Sequence, residues 1–394
     1  MTVNPSELAR LGARDVDTQR AGGYAHTLSE ILQQPASWIE TAASLAQAIE
    51  TGRLHAAFDP PPDAIVFTGS GSSHYVGECL AAGLQTTLHL PVQAIAAGTL
   101  LTHWRGTLPP GRGLLVSIAR SGDSPESAAV VDTVLAEAPA YRHLVITCNE
   151  RGRLATRYRD DPRVAAIVLD ERTNDRSLVM TSSFTNLLLA CRALARMQQL
   201  DMYTEQATRL AALASRVIAR DADGLAAVAR SGFSDALYLG SGVRFGSARE
   251  SALKMLEMSA GRVKTCAETF LGLRHGPLAA VDAETLVVAF LSCDATVRAF
   301  ECDVLRELDR KQLGARRVLV GDGIPADLLR AGQLAVETPG LRALGDDDAP
   351  LLDVLVGQLL AFFNCLHLGF KPDAPSQGVL TRVVEEFSIH RGPA

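Results

Sequence analysis

Ala64-Ile65-Val66-Phe67-Thr68-Gly69-Ser70-Gly71-Ser72-Ser73 is the stretch on which the fold turns. Its first five residues are a short β-branched and aromatic run, the Gly/Ser residues that follow make a tight turn, and a helix-like segment begins near Tyr75. The same order returns at Gly113-Leu114-Leu115-Val116-Ser117-Ile118, followed by Ala119-Arg120-Ser121-Gly122-Asp123-Ser124-Pro125-Glu126-Ser127 and a helix through Val134. It returns again at His143-Leu144-Val145-Ile146-Thr147-Cys148, leading into Asn149-Glu150-Arg151-Gly152. Strands alternating with helices predict an α/β fold with a doubly wound parallel sheet, whose ligand crevice lies at the strand C-termini.

A second copy lies downstream. Leu237-Tyr238-Leu239-Gly240-Ser241-Gly242 repeats the strand and turn of Phe67 to Gly71, with Gly240 standing 171 residues after Gly69. Leu286-Val287-Val288-Ala289-Phe290-Leu291-Ser292 likewise repeats the Val116 strand, with Val288 standing 172 residues after Val116. The chain therefore reads as a duplicated α/β domain. Its expected parts are an N-terminal helical segment at 1–50 that caps the first domain, the first domain at 51–200, the second at 225–370 and a tail at 371–394. The apolar repeat from Ile39 to Ile49 supplies the capping face. Between 200 and 228 the junction is helical, not a Gly/Pro-rich linker. An acidic turn, Gly345-Asp346-Asp347-Asp348-Ala349-Pro350, precedes a last apolar helix at Leu351 to Leu368 and reads as a solvated helix cap.

Length and composition agree with this reading. With 394 residues, 47% hydrophobic and 21% charged, the chain holds two medium domains with substantial cores. A formal charge of -6 offers no field to gather nucleic acid or anionic lipid, so any anion must be held locally. The seven cysteines contain no C-x-x-C pair, and no His/Cys/carboxylate group has metal-ligand spacing; buried thiols, no metal and no cofactor are expected. Residues 1 to 25 lack an apolar core for a signal peptide, which predicts a cytoplasmic location.

The chemistry concentrates in four places. Ser72 and Ser73 in one turn, and Ser121, Ser124 and Ser127 in the other, place hydroxyls beside the backbone N–H groups of helix N-termini, a setting that holds phosphate. Arg120 adds a fixed charge able to fork onto phosphate oxygens. Ser and Gly at a strand end are also simply good turn and N-cap residues, and neither turn matches a dinucleotide or P-loop fingerprint. In Ala248-Arg249-Glu250-Ser251-Ala252-Leu253-Lys254-Met255-Leu256-Glu257-Met258, Glu250 and Glu257 share one helix face beside apolar Ala252, Leu253, Leu256 and Met258. A carboxylate at the edge of a buried face can be tuned for proton transfer; an ordinary salt-bridged glutamate is the other reading. His275, before Gly276-Pro277, sits in non-helical backbone where an imidazole titrates near neutral pH, or serves only the loop.

Together with Leu144-Val145-Ile146-Thr147-Cys148-Asn149-Glu150, Thr173-Asn174-Asp175-Arg176-Ser177 and Arg274-His275-Gly276-Pro277, these segments resemble the SIS (sugar isomerase) superfamily. Within it they resemble the tagatose-6-phosphate ketose/aldose isomerase family, whose members include galactosamine-6-phosphate deaminases. The resemblance runs from about residue 30 to residue 390. It implies two tandem SIS domains, each a five-stranded parallel sheet flanked by helices, in a homodimer or larger assembly.

The isomerase half of glucosamine-6-phosphate synthase is similar too. By that resemblance Ser73, Ser121 and Ser124 fall on phosphate-binding hydroxyls, and Arg120 falls where a glutamine stands. Glu257 falls on the carboxylate that moves a proton between C1 and C2, and His275 on a ring-opening histidine that comes from the neighbouring subunit. The chain departs in having Thr2 after Met1, not a nucleophilic cysteine, so the deaminating direction is expected. Glu257 also stands two residues further from the His-Gly-Pro motif than its counterpart. Arg382 falls nearest the Schiff-base lysine, and being too basic for that role is expected to hold substrate. The implied activity is conversion of an amino-hexose 6-phosphate to a ketose 6-phosphate with loss of ammonia. A simple aldose/ketose isomerase and a noncatalytic sugar-phosphate sensor are the alternatives.

Overall fold

Gly113–Ala119 is buried at all seven positions. Such a run, apolar on both faces, fits only a central strand covered by helices on each side. In the computed structural model, which describes residues 6–376, 378–382 and 388–390 (of Ala56, the backbone alone), it is the middle of a five-stranded parallel sheet. The strands are β1 (Ala64–Gly69), β2 (Val92–Ala96), β3 (Gly113–Ala119), β4 (Arg142–Thr147) and β5 (Val164–Val168), in spatial order β2-β1-β3-β4-β5. A second sheet holds β6 (Asp235–Leu239), β7 (Lys264–Glu268), β8 (Leu286–Phe290), β9 (Arg316–Gly321) and β10 (Leu334–Glu337), in order β10-β9-β8-β6-β7. Read from the other edge, the second order repeats the first. In each sheet the strand order reverses between its first and third strands, and a crevice opens there at the C-terminal ends.

Contacts divide the chain into two units. One comprises Ser37–Asp175, Ser182–Ala207 and Thr381–Ala394 around the first sheet; the other comprises Met1–Ala36, Arg176–Thr181 and Thr208–Leu380 around the second. The division falls inside one 31-residue helix, Leu200–Arg230.

The N-terminal helices split between the units, so they are not the single cap expected on the first domain. The helix Gln34–Glu50 presents Trp38, Ala42, Leu45 and Ile49, spaced on one face and all essentially inaccessible, while Ile39 is exposed. Its polar contacts run to the wholly buried Ser182–Arg192 helix: Trp38 Nε1 donates to Thr185 Oγ1 at 3.0 Å, and Thr41 Oγ1 to Asn186 Oδ1 at 2.7 Å. The segments before it join the second-sheet unit for a specific reason. Asp373 accepts from Thr27 N at 2.8 Å and Thr27 Oγ1 at 2.7 Å, capping the helix Ala25–Leu32. The buried Glu30 carboxylate accepts from Arg176 N at 2.6 Å, Ser177 N at 3.1 Å and Ser177 Oγ.

The last helix, Pro350–His367, is long and apolar enough to cross a membrane, yet it is buried from Pro350 to Cys365 as the core helix of its unit. The acidic turn before it is not a solvated cap. Ala349 is the N-cap and makes no side-chain bond, while Asp346 binds the end of β8 and Asp353 is fully buried against Arg244, at 2.6 and 2.9 Å. Past β8, Cys293 N and Ser292 Oγ need an acceptor, which Asp346 of the turn supplies, and the buried Arg244 guanidinium is met by Asp353 one turn into the helix. Of the seven thiols five are buried, as expected; Cys266 on edge strand β7 is exposed and Cys293 is half-buried.

Candidate active site

The two serine turns leave neighbouring strands of the first sheet, where Thr68 on β1 pairs with Ser117 on β3. Parallel neighbours lie ~4.8 Å apart, so their C-terminal turns open on one crevice. After β1, Gly71 takes φ +56°, and a Cβ on Gly69 would stand 2.7 Å from the Ser73 Cβ. Glycine at both positions lets the chain reverse tightly and start the helix Ser72–Glu78 with Ser72 and Ser73 buried in its first turn.

The second turn is braced from β4. Asn149 Nδ2 donates to Ser121 O at 2.8 Å, Arg153 N donates to Asp123 Oδ1 at 3.0 Å, and Asp123 N donates to Ser121 Oγ at 3.3 Å. Gly152 closes the brace, since a Cβ there would lie 2.2 Å from the Ser121 carbonyl. Arg120 is buried to 7% exposure beside Cys148, whose thiol burial pushes up to about 12. Ser124 caps the helix Pro125–Glu137 in position only, because its hydroxyl donates to Glu126. Ser127 is buried one turn further on.

Arg382, in the same unit, is exposed, and its Nη2 donates to Asn174 Oδ1 at 2.6 Å. That bond absorbs part of the Thr173-to-Ser177 motif. Asp175 takes another part, accepting from Ser182 Oγ at 2.6 Å and Ser183 N at 2.9 Å at the start of the Ser182 helix. Val383 and Val384, which continue the Arg382 stretch, lie outside the described residues.

In the second-sheet unit the helix Val243–Met258 carries a stripe the sequence reading missed. Lys254, with only 1% of its side chain exposed, places Nζ 2.5 Å from Glu257 Oε2 and 3.4 Å from Glu250 Oε1. Glu250 is fully buried and Glu257 is 21% exposed along its side chain. The apolar edge expected around Glu257 is therefore a salt-bridged one, and Leu256, counted in the apolar set, is 40% exposed. The missed signal was legible: Lys254 lies four residues after Glu250 and three before Glu257, the two spacings at which helix side chains meet. A buried ammonium fixed between two carboxylates orients Glu257 and offers a proton donor beside it.

His275 lies outside that stripe, in an exposed turn after the helix Phe270–Leu273, with Gly276 at φ +133° and Pro277 opening a single 3-10 turn. Its backbone N–H donates to Gly272 O at 2.9 Å, and Arg274 is tied to Glu307 at 2.8 Å. The loop is anchored while the imidazole faces solvent. The first-sheet unit thus presents hydroxyls, amides and a buried guanidinium suited to an anion. The second presents a Glu–Lys–Glu stripe and a solvent-facing imidazole suited to proton transfer.

No protein-family model matches the chain. It is similar to D-galactosamine-6-phosphate deaminase AgaS of Escherichia coli, at 33% identity over 370 residues, 92% of this chain and 95% of that one. D-galactosamine-6-phosphate deaminase AgaS of Shewanella sp. (strain ANA-3) is 30% identical over 383 residues, 93% of this chain and 92% of its own. The solved structure of tagatose-6-phosphate ketose/aldose isomerase from Escherichia coli superposes with a TM-score of 0.83 at 29% identity, covering 97% of this chain and 99% of that one. Two sheets of one topology, the serine turns and relatives matched nearly end to end have one common reading: the chain belongs to the SIS-domain family of galactosamine-6-phosphate deaminases and tagatose-6-phosphate ketose/aldose isomerases.

Proposed function

We propose that the protein converts an amino-hexose 6-phosphate, galactosamine 6-phosphate first among them, to the ketose 6-phosphate with release of ammonia. The phosphate is gripped by Ser72, Ser73, Arg120, Ser121 and Ser124, so binding energy from this non-reacting group positions the sugar. Ser124 must turn its hydroxyl from Glu126 towards the ligand to take part. His275 moves the proton that opens the pyranose. Glu257 then takes the C2 proton of the open aldose, giving an enolamine, and returns a proton to C1, giving a C2 ketimine. Water adds at C2, ammonia leaves, and the ketose phosphate remains. Lys254 holds the Glu257 carboxylate through these steps, Glu250 holds Lys254, and Arg382 contacts the sugar.

The observation that supports this reading most is the Lys254–Glu257 pair, a carboxylate pinned at 2.5 Å by a buried ammonium on the helix that carries the family motif. The reading includes a cytoplasmic homodimer or larger homo-oligomer in which His275 serves the neighbouring subunit. A second reading, aldose/ketose isomerisation without nitrogen loss, is favoured by the likeness to the E. coli isomerase structure. Incubation with a panel of hexose and hexosamine 6-phosphates, assayed for ammonia and for ketose, separates the two. Ammonia and ketose in equal amounts from galactosamine 6-phosphate are expected; ketose from hexose phosphates with no ammonia from any hexosamine phosphate supports the second reading instead.

A further inference from the structure

The duplication extends to atomic detail at the strand ends. Gly71 and Gly242, 171 residues apart, adopt φ/ψ of 56°/−128° and 56°/−129°. Gly69 and Gly240 are each blocked from bearing a Cβ by the residue four further on, Ser73 and Arg244. In the first sheet Asp123 N donates to Ser121 Oγ at 3.3 Å; in the second Asp294 N donates to Ser292 Oγ at 3.0 Å. The β6 and β8 turns are thus a second copy of the turns assigned to phosphate, built within the second-sheet unit.

That copy already holds an anion. Ser292 Oγ, the counterpart of Ser121 Oγ, donates to Asp346 Oδ2, and Cys293 N, the counterpart of Gly122 N, donates to Asp346 Oδ1 at 2.7 Å. The Arg244 guanidinium stands 3.6 Å from the same Oδ1. A hydroxyl, a backbone amide and a buried guanidinium converging on two oxygens form the donor set a phosphate takes. Elsewhere the copy has changed sign and size: Ser73 is matched by Arg244 and, counted from the Ser121/Ser292 pair, Ser124 by Ala295 and Arg120 by Leu291. Arg298 also reaches this turn, its guanidinium donating to Ser292 O at 2.6 Å and to Leu291 O at 3.2 Å.

We propose that Asp346 is a stand-in for phosphate, and that the β6/β8 crevice is an anion site closed by the chain's own carboxylate. Opened, it accepts a phosphate or a phosphate monoester. A carboxylate that merely caps a turn would leave no such site behind.

The test is isothermal titration of the parent, D346A, D346S and D346A/S292A with inorganic phosphate at matched ionic strength, after circular dichroism has shown each to be folded. Expected is one more phosphate per chain in D346A than in the parent, weakened by about tenfold or more when Ser292 is also removed. D346S also removes the carboxylate and keeps a small polar group for the turn, so a folding defect in D346A does not decide the result. Because the parent is subtracted, the outcome does not depend on whether the first-sheet turns bind phosphate. No added phosphate in any folded Asp346 variant, or an added phosphate indifferent to S292A, overturns the proposal.

Discussion

Two single residues show how far chemistry can be read from side chains alone. Glu257 is legible as a candidate base because the motif around it places it on a helix face with Glu250; Lys254 between them is harder to read, because lysine is almost always a surface residue. Its burial makes it the keystone. We expect Glu257→Gln to lower kcat by about 10²–10⁴-fold while leaving the urea midpoint near that of the parent. Lys254→Met removes the ammonium 3.4 Å from the buried Glu250 carboxylate and is expected to destabilise the fold by about 3–5 kcal/mol, a loss that adding Glu250→Gln partly restores. His143, on β4, was read only as part of an apolar strand. It is wholly buried, neither ring nitrogen has a hydrogen-bond partner, and burial lowers its pKa to about 4. The unfolded chain takes up this proton below about pH 6.5 and the folded one does not until about pH 4. Stability is therefore intact above that window and falls as pH drops through it, by about 3 kcal/mol in all. His143→Leu is expected to flatten this acid limb without loss at neutral pH; a limb as steep as the parent's places the acid sensitivity elsewhere.

At the scale of elements, strand–turn–helix units were the most readable feature, since β-branched runs ending in Gly and Ser have few other structures. Helix faces were less so. The repeat from Ile39 to Ile49 predicts the helix and most of its buried face, Ala42, Leu45 and Ile49, but Trp38, which completes that face, lies just outside the repeat, and tertiary packing leaves Ile39 exposed. The bracing of the Ser121 turn from β4 is invisible in the sequence, as it joins residues some thirty positions apart, and nothing local marks Gly152 as part of it. Its proximity to the Ser121 carbonyl makes a sharper claim. Gly152→Ala must push the Ser121 turn aside, and we expect kcat/KM for the sugar phosphate to fall by about 10- to 100-fold, with a stability loss of about 1–3 kcal/mol. A folded variant with unchanged kcat/KM would remove that turn from the site.

For the whole molecule, the duplication was legible because its glycines cannot be replaced: Gly69, Gly71, Gly240 and Gly242 keep one spacing under the same steric demand. The allegiance of the N-terminal helices was not, because it rests on the pairings of Thr27 with Asp373 and Glu30 with Ser177, each between residues remote in sequence and silent in periodicity. The proposed sharing of the site between subunits is a claim at this scale too, and it has an arithmetic consequence. If each site combines Glu257 of one chain with His275 of its neighbour, a hybrid of E257Q and H275A chains carries one site with both defects and one with neither. Equal co-refolding of the two inactive variants makes half of the dimers hybrids, so about a quarter of parental activity should return. If both residues act within one chain, every site in every hybrid has a defect and nothing returns. Hybrids verified by native mass spectrometry that stay inactive would therefore place His275 in its own subunit's site.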